Sequence, residues 1–120
     1  MSCTPSARMD LCIYRGNDLR VIVTVRDTAG QLVDISAADE IWWEASPRPG
    51  GTPFIQKQLT ASDITLGAPP QFFFDIDATE SAAFPVGRQH HEALLKTSGG
   101  KFYTVLYGKL KVVDATIVEA

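Results

Sequence analysis

Two adjacent histidines are the first residues in this chain whose type and spacing could support chemistry. Imidazole is a common metal ligand, but neighbouring strand residues point to opposite faces, so His90 and His91 do not converge on one ion unaided. Neither a Cys nor a carboxylate stands near them at metal-ligand spacing. We therefore expect no metal site, with one histidine half-buried and the other in solvent.

A pair of aspartates has the spacing that two-carboxylate hydrolysis could use. Asp75 and Asp77 are two residues apart and would share one face of a strand, although such pairs at a strand end are more often turn and capping groups. Ser98, followed by Gly99 and Gly100, lies in an expected hairpin tip, without the Gly-x-Ser-x-Gly elbow of a nucleophilic serine. We expect no catalytic residue, no cofactor and no enzymatic activity.

Length, composition and charge narrow the class of protein. The 120 residues, 45% hydrophobic and 21% charged, suit a single globular domain that folds without disulfides or metal. A net charge of −3 with 11 thinly spread Lys and Arg residues argues against nucleic acid as a partner. No apolar run approaches the ~20 residues that span a bilayer, and the first ten residues lack signal-peptide character. We expect a protein made in a cytoplasm, with Cys3 and Cys12 as free thiols.

The elements that position these residues are short strands separated by Gly, Pro, Asn or Asp. The clearest is the segment 18–27, in which Leu19, Val21, Val23 and Val25 alternate with more polar neighbours at the period of a strand. A weak extended segment lies within 60–71, and the tail from Asp114 is a candidate edge strand. Further strands are predicted at 9–14, 31–36, 40–46, 54–59, 72–76, 88–96 and 102–113.

Two short helical turns interrupt the strands. Asp77 and Glu80 have the spacing of a capping box, which predicts one or two turns over 78–84, and Ser36 with Asp39 predicts a single turn. Gly108, in the middle of a strand, indicates a bulge or the close approach of another backbone. The pattern predicts an all-β protein: an antiparallel Ig-like β-sandwich of seven or eight strands over residues 9–120, after a flexible arm at 1–8. A small closed barrel is the alternative architecture.

Aromatic residues occur on both faces of several predicted strands, where one wet face would normally be polar. Loops could cover the surplus rings, or the rings could form a protein interface. A third reading is that Trp42 or Trp43 stacks on a sugar ring, which would make the protein a carbohydrate-binding module for a host surface. The candidate interface residues are Trp42, Trp43, Phe72, Phe73, Phe74, Phe102 and Tyr103.

Four motifs follow one another within residues 9–113. They are I-x-x-G-[ND]-D at 13–18, V-x-D-x-x-G-x-x-[VI]-D-[IL]-[ST]-x-A at 25–38, an acidic helical turn ending P-x-G-R at 79–88, and G-x-[LV]-x-V at 108–112. In this order they resemble small β-sandwich proteins from the structural modules of tailed phages and prophages. The resemblance is to the N-terminal domain of phage baseplate upper proteins.

This resemblance implies a non-enzymatic component of a virion, such as a tail, baseplate, connector or adaptor/decoration protein. It implies assembly with copies of itself and with neighbouring virion proteins, and it carries no catalytic residues. Because the chain has no fibre or receptor-binding part after the sandwich, a free-standing adaptor or decoration protein fits better than a fibre anchor. The expected location is the virion, after synthesis in the bacterial host cytoplasm, with no membrane partner.

Overall fold

The fold is given by a computed structural model, which describes residues 8–26, 31–32, 35–36, 38–67 and 71–114. This part of the chain is mostly β-strand, with one short helix. In chain order the elements are β1 (Leu11–Tyr14), β2 (Leu19–Thr24), β3 (Glu40–Ser46), β4 (Ile55–Gln58), β5 (Ile64–Leu66), β6 (Gln71–Ile76), α1 (Ala78–Ala82), β7 (Gly87–Lys96) and β8 (Phe102–Val113).

The strands form two sheets that enclose one apolar core. A five-stranded sheet has the order β1-β8-β7-β3-β4, and a three-stranded sheet has the order β2-β6-β5. The alternation is regular in β7, which buries Gln89, His91, Ala93 and Leu95 while the residues between them face outward. The protein is therefore an Ig-like β-sandwich, as the alternation of apolar residues predicts.

The strand pairing departs from the prediction at β1. β1 runs parallel to β8, with Leu11 opposite Leu110, whereas a wholly antiparallel sandwich was expected. The chain changes sheets at the turn after Tyr14, so β1 and β2 belong to different sheets and do not form a hairpin. Contacts with the helix region hold this turn: the Gly16 N–H donates to Ser81 Oγ over 3.0 Å, and Arg15 Nη2 donates to the Ala82 carbonyl over 2.8 Å.

Gly108 allows the chain before β1 to lie directly on β8. A Cβ on Gly108 would overlap the carbonyl oxygen of Met9 and lie 2.7 Å from its carbonyl carbon. The Met9 N–H donates to the Tyr107 carbonyl over 2.9 Å, which continues the parallel pairing. The predicted close approach is thus confirmed, and the irregularity in the β7–β8 ladder lies elsewhere, between Ala93 and Leu94.

Of the local predictions, one is confirmed, one is seen only in part, and several fall outside the described residues. The capping box is confirmed, since Asp77 accepts from the Glu80 N–H over 2.7 Å and Glu80 accepts from the Asp77 N–H over 3.0 Å. The predicted 31–36 strand is seen only as a bridge between Arg26 and Leu32. Outside the described residues lie positions 33–34, residue 37 of the 36–39 turn and the tail after 114. Residues 1–7 of the predicted arm lie outside them too. No helix in the described part is long and apolar enough to cross a membrane.

Candidate functional site

Three of the seven candidate interface residues are core residues, so their assignment to the surface was wrong. Trp43 is 0% exposed, and its ring centroid lies 4.5 Å from that of Phe74 across the core. Phe72 and Phe74 point inward from the central strand of the three-stranded sheet, opposite Val23 and Val21. These three rings are among the largest side chains in the core and are fully enclosed between the sheets, which is why they cannot serve as a surface.

The other four candidates reach the surface. Trp42 is partly exposed on the outer face of the five-stranded sheet and stacks on Phe102, with 6.2 Å between centroids and 25° between the ring planes. Phe102 and Tyr103 are 56% and 52% exposed at the start of β8. Phe73 faces outward from β6, and the Arg20 guanidinium lies 4.6 Å from its ring centroid.

The outer face of the three-stranded sheet carries a short apolar row. Ile22, which is 53% exposed, stands opposite Phe73, and Phe73 stands opposite Thr65. At one end of the row Arg20 forms a bidentate pair with Asp75, at 2.8 and 3.0 Å, and the hydrogen bond with Arg20 lowers the pKa of this carboxyl. The face therefore offers an apolar centre beside an ion pair.

The outer face of the five-stranded sheet contains a cavity of about 490 Å³, which we call the Trp42 groove. Two carboxylates, Glu44 on β3 and Glu92 on β7, stand directly opposite each other in it. Glu44 accepts a hydrogen bond from Gln56 over 2.7 Å, and Glu92 lies 3.3 Å from His90 Nε2. The groove is lined by Trp42, Glu44, Gln56, Glu92, Leu94 and Thr104.

A group of cations lies on the same outer face, diagonally displaced from the two carboxylates. Arg88 stands opposite Lys111, and Lys109 stands opposite His90. We call Arg88, Lys109 and Lys111 the basic cluster; together with Arg8, Asp10, Leu11 and Cys12 they line a second cavity of about 400 Å³. The part of the chain that the structure describes holds no ion pair for any of these three side chains.

His91 is buried in the core, where it joins β7 to the segment before β1. Trp43 Nε1–H donates to Nδ1 of His91 over 3.1 Å, and Nε2 of His91 lies 2.6 Å from the carbonyl oxygen of Met9. An indole only donates and a carbonyl only accepts, so the ring is neutral with its proton on Nε2. Burial lowers the pKa of His91 below its ordinary 6.5. His90 faces outward with only 12% of its side chain exposed. The two histidines lie on opposite faces as predicted, but the expectation that one is half-buried and the other in solvent is wrong, because His91 is fully buried and His90 largely so.

The remaining candidates for chemistry have structural partners. Asp75 pairs with Arg20, and Asp77 caps α1. Ser98, Gly99 and Gly100 are exposed at the β7–β8 hairpin tip. Within the described ranges, no three His, Cys, Asp or Glu side chains gather closely enough to hold a metal ion. Cys12 is an exposed free thiol, and Cys3 lies outside the described residues.

Sequence reasoning missed the two charged groups on the outer face of the five-stranded sheet. Along β7 the outward residues include Arg88, His90 and Glu92. The change from positive to negative charge along this face could therefore be read from one strand. The partners that enlarge each group come from β3 and β8, which lie about 50 residues earlier and 20 residues later in the chain. Only the strand order brings them together.

Comparison with known proteins supports the fold. No family model matches the chain, and no curated protein matches its sequence. Among solved structures it is similar to the fibronectin(III)-like modules of Clostridium thermocellum CbhA, with a TM-score of 0.50 and 11% identity over 91% of this chain and 92% of that chain. At this identity the similarity concerns the fold alone, an Ig-like sandwich of the fibronectin(III) kind.

Proposed function

We propose that the protein is a non-enzymatic structural component of a phage or prophage virion that acts by protein–protein assembly. The observation that carries the proposal is the exposure of large apolar side chains on both outer faces: Ile22 at 53% and Phe102 at 56%, beside Phe73 and Trp42. Apolar side chains that cluster on an otherwise polar sheet face are typical of interaction surfaces. The resemblance to phage baseplate proteins favours assembly within a virion. The sandwich provides a rigid support for the exposed apolar side chains.

The proposal is tested with neighbouring gene products. The purified chain is mixed with each product of the adjacent structural genes, and complexes are measured by light scattering after size-exclusion chromatography. We expect at least one defined complex, weakened by Phe73→Ser or Phe102→Ser. Lys101→Ser at the exposed hairpin tip is the control, with no expected effect. A chain that binds none of these proteins would remove the proposed role.

Carbohydrate binding is the second candidate, because the Trp42 groove combines an aromatic ring with side chains that hydrogen-bond hydroxyl groups. Trp43 is excluded from such a site by its burial, so Trp42 would provide the stacking surface. Glu44, Gln56 and Glu92 line the same groove. A glycan array with wild type and Trp42→Ala tests this function; binding that survives the substitution, or no binding at all, would dismiss the groove as a sugar site.

A further inference from the structure

We infer that the outer face of the five-stranded sheet binds the same face of a second copy of this chain, with the basic cluster of each copy against Glu44 and Glu92 of the other. This inference deepens the proposed assembly role and rests on it.

Among the described residues, Arg88, Lys109 and Lys111 form no ion pair, although Asp10 lines the same cavity, and Glu44 has no cationic partner. Glu92 lies 3.3 Å from His90 Nε2, a ring that is a counterion only when it is protonated. Glu44 and Glu92 are directly opposite across two strands, a placement that destabilises a sheet when both residues carry the same charge. Gln56 donates to Glu44 but brings no charge. Two other charges on this face are already engaged: Arg8 pairs with Asp10 over 3.4 Å, and Lys96 lies 5.8 Å from the Phe102 ring centroid.

The two groups are placed so that one rotation makes them complementary. Strands are about 4.8 Å apart, and residues on one face of a strand are about 6.6 Å apart. On a grid with these spacings, a two-fold axis in the plane of the interface near His90 brings Lys109 of one copy to Glu92 of the other. The same axis brings the Arg88 position to within about 4 Å of Glu44, a gap that the long arginine side chain spans. A closed two-fold dimer forms each contact twice.

The same rotation supplies an occupant for the Trp42 groove. Lys111 lies one step along β8 from Lys109 on the same face, and the rotation places it over the Trp42 groove next to Glu44 and Gln56 of the second copy. A lysine ammonium there meets the Glu44 carboxylate and the face of Trp42, an arrangement that favours a cation over a neutral group. The groove would then be closed by the partner's side chain.

The area of the face is sufficient for a weak dimer. The five strands are 4, 12, 10, 7 and 4 residues long, which at about 3.3 Å per residue and about 4.8 Å per strand gives on the order of 600 Å² per copy. The total of about 1,200 Å² is at the lower limit of specific interfaces. We expect a dimer that dissociates on dilution and in high salt, since its contacts are between charges.

Charge reversal in pairs tests the inference. Lys109→Glu and Glu92→Lys are each expected to raise the dimer dissociation constant by about tenfold or more, because each places like charges together twice. Mixing the two variants should restore a heterodimer, since both contacts are then between opposite charges. The chain that carries both substitutions should form a homodimer again. Lys101→Glu, an equal charge change at the exposed hairpin tip, should leave the dimer unchanged.

Sedimentation velocity up to about 200 µM protein, at low and high salt, is the measurement, because interfaces of this size are weak. Far-ultraviolet circular dichroism confirms that each variant is folded. A wild type that stays monomeric, a dimer unaffected by either reversal, or a mixture that does not associate would each overturn the inference. Binding of a neighbouring virion protein is measured in parallel; if it persists without a dimer, the assembly role stands and only this interface is lost.

Discussion

Trp43 and His91 form a hydrogen bond in the core, with the indole Nε1–H donating to Nδ1 over 3.1 Å, and both side chains are 0% exposed. The bond joins two neighbouring strands on the inward face of the five-stranded sheet, where Ala93 rather than His91 stands opposite Trp43. His91 extends the chain of bonds to the Met9 carbonyl over 2.6 Å. One polar chain thus links β3, β7 and the segment that precedes β1.

We expect Trp43→Phe to destabilise the protein far more than Trp42→Phe. The first substitution leaves Nδ1 of His91 as a buried acceptor without a donor, which costs about 1–3 kcal/mol, and leaves a void besides. Trp42 is partly exposed on the outer face, so its substitution should cost less than about 1 kcal/mol. Urea unfolding measures both. Equal losses would contradict the assignment of Trp43 to the polar chain.

Stability should fall as the pH drops below the ordinary pKa of histidine. The pKa of His91 is lowered by burial, so the unfolded chain binds the proton more readily than the folded one. The stabilising contribution is therefore complete above pH 6.5 and is lost as the pH falls from 6.5 towards the folded pKa, by at most about 1.4 kcal/mol per pH unit. Unfolding free energies of wild type at pH 7.5, 6.5 and 5.5 measure the loss.

Two histidine variants separate this effect from other titrations. His91→Gln should be less stable than wild type at pH 7.5 but should show a smaller decrease between pH 6.5 and 5.5. His90→Gln, which changes the outward histidine, should keep the wild-type decrease. If His90→Gln rather than His91→Gln gave the smaller decrease, the histidine responsible would be the outward one.

Gly108→Ala should detach the segment before β1. The new Cβ would overlap the Met9 carbonyl, and this contact is with backbone that cannot rotate away. We expect a loss of at least about 2 kcal/mol and faster hydrogen exchange at the Met9 amide, which now donates to Tyr107. Gly99→Ala is the control, because its Cβ would come no closer than 3.7 Å to Thr97 Oγ1. Unchanged exchange at Met9 would refute the close packing.

Glu80→Ala should cost more stability than Asp77→Ala. Glu80 closes the capping box and also contacts Lys57 Nζ with both oxygens, at 2.7 and 2.8 Å. Only 10% of the Lys57 side chain is exposed, against 33% for Glu80, so removal of Glu80 takes two charged hydrogen bonds from a largely buried ammonium, a change that costs about 1.5–3 kcal/mol. Loss of the Asp77 cap alone costs about 1 kcal/mol. Thermal and urea unfolding of both variants provide the comparison.

Much of the architecture could be predicted from local patterns. The alternation in β2, the Thr97–Lys101 turn between β7 and β8, and the spacing of Asp77 and Glu80 each depend on residues close in sequence. The parallel pairing of β1 with β8 was missed because it joins residues about 100 positions apart, such as Leu11 and Leu110. No pattern in neighbouring residues indicates which of the two sheets a strand joins after a turn.

The candidate site was less accessible to prediction. Alternation places Trp42 and Trp43 on opposite faces of their strand, but it does not say which face is the core. Glu44 and Glu92 belong to separate strands, as do Arg88 and Lys109, and their neighbourhood depends on the register of three strands. The two charged groups therefore cannot be recognised in full from the sequence before the strand pairing is known.

By itself the sequence determined the period of each strand, the cap of its helix and the class of its fold, because side-chain alternation and capping are properties of a few consecutive residues. Only the tertiary structure decided that Trp43 faces inward and Trp42 outward, that β1 lies parallel to β8, and that opposite charges share one face. These features follow from the packing of two sheets around a common core, whose free energy depends on all the strands together.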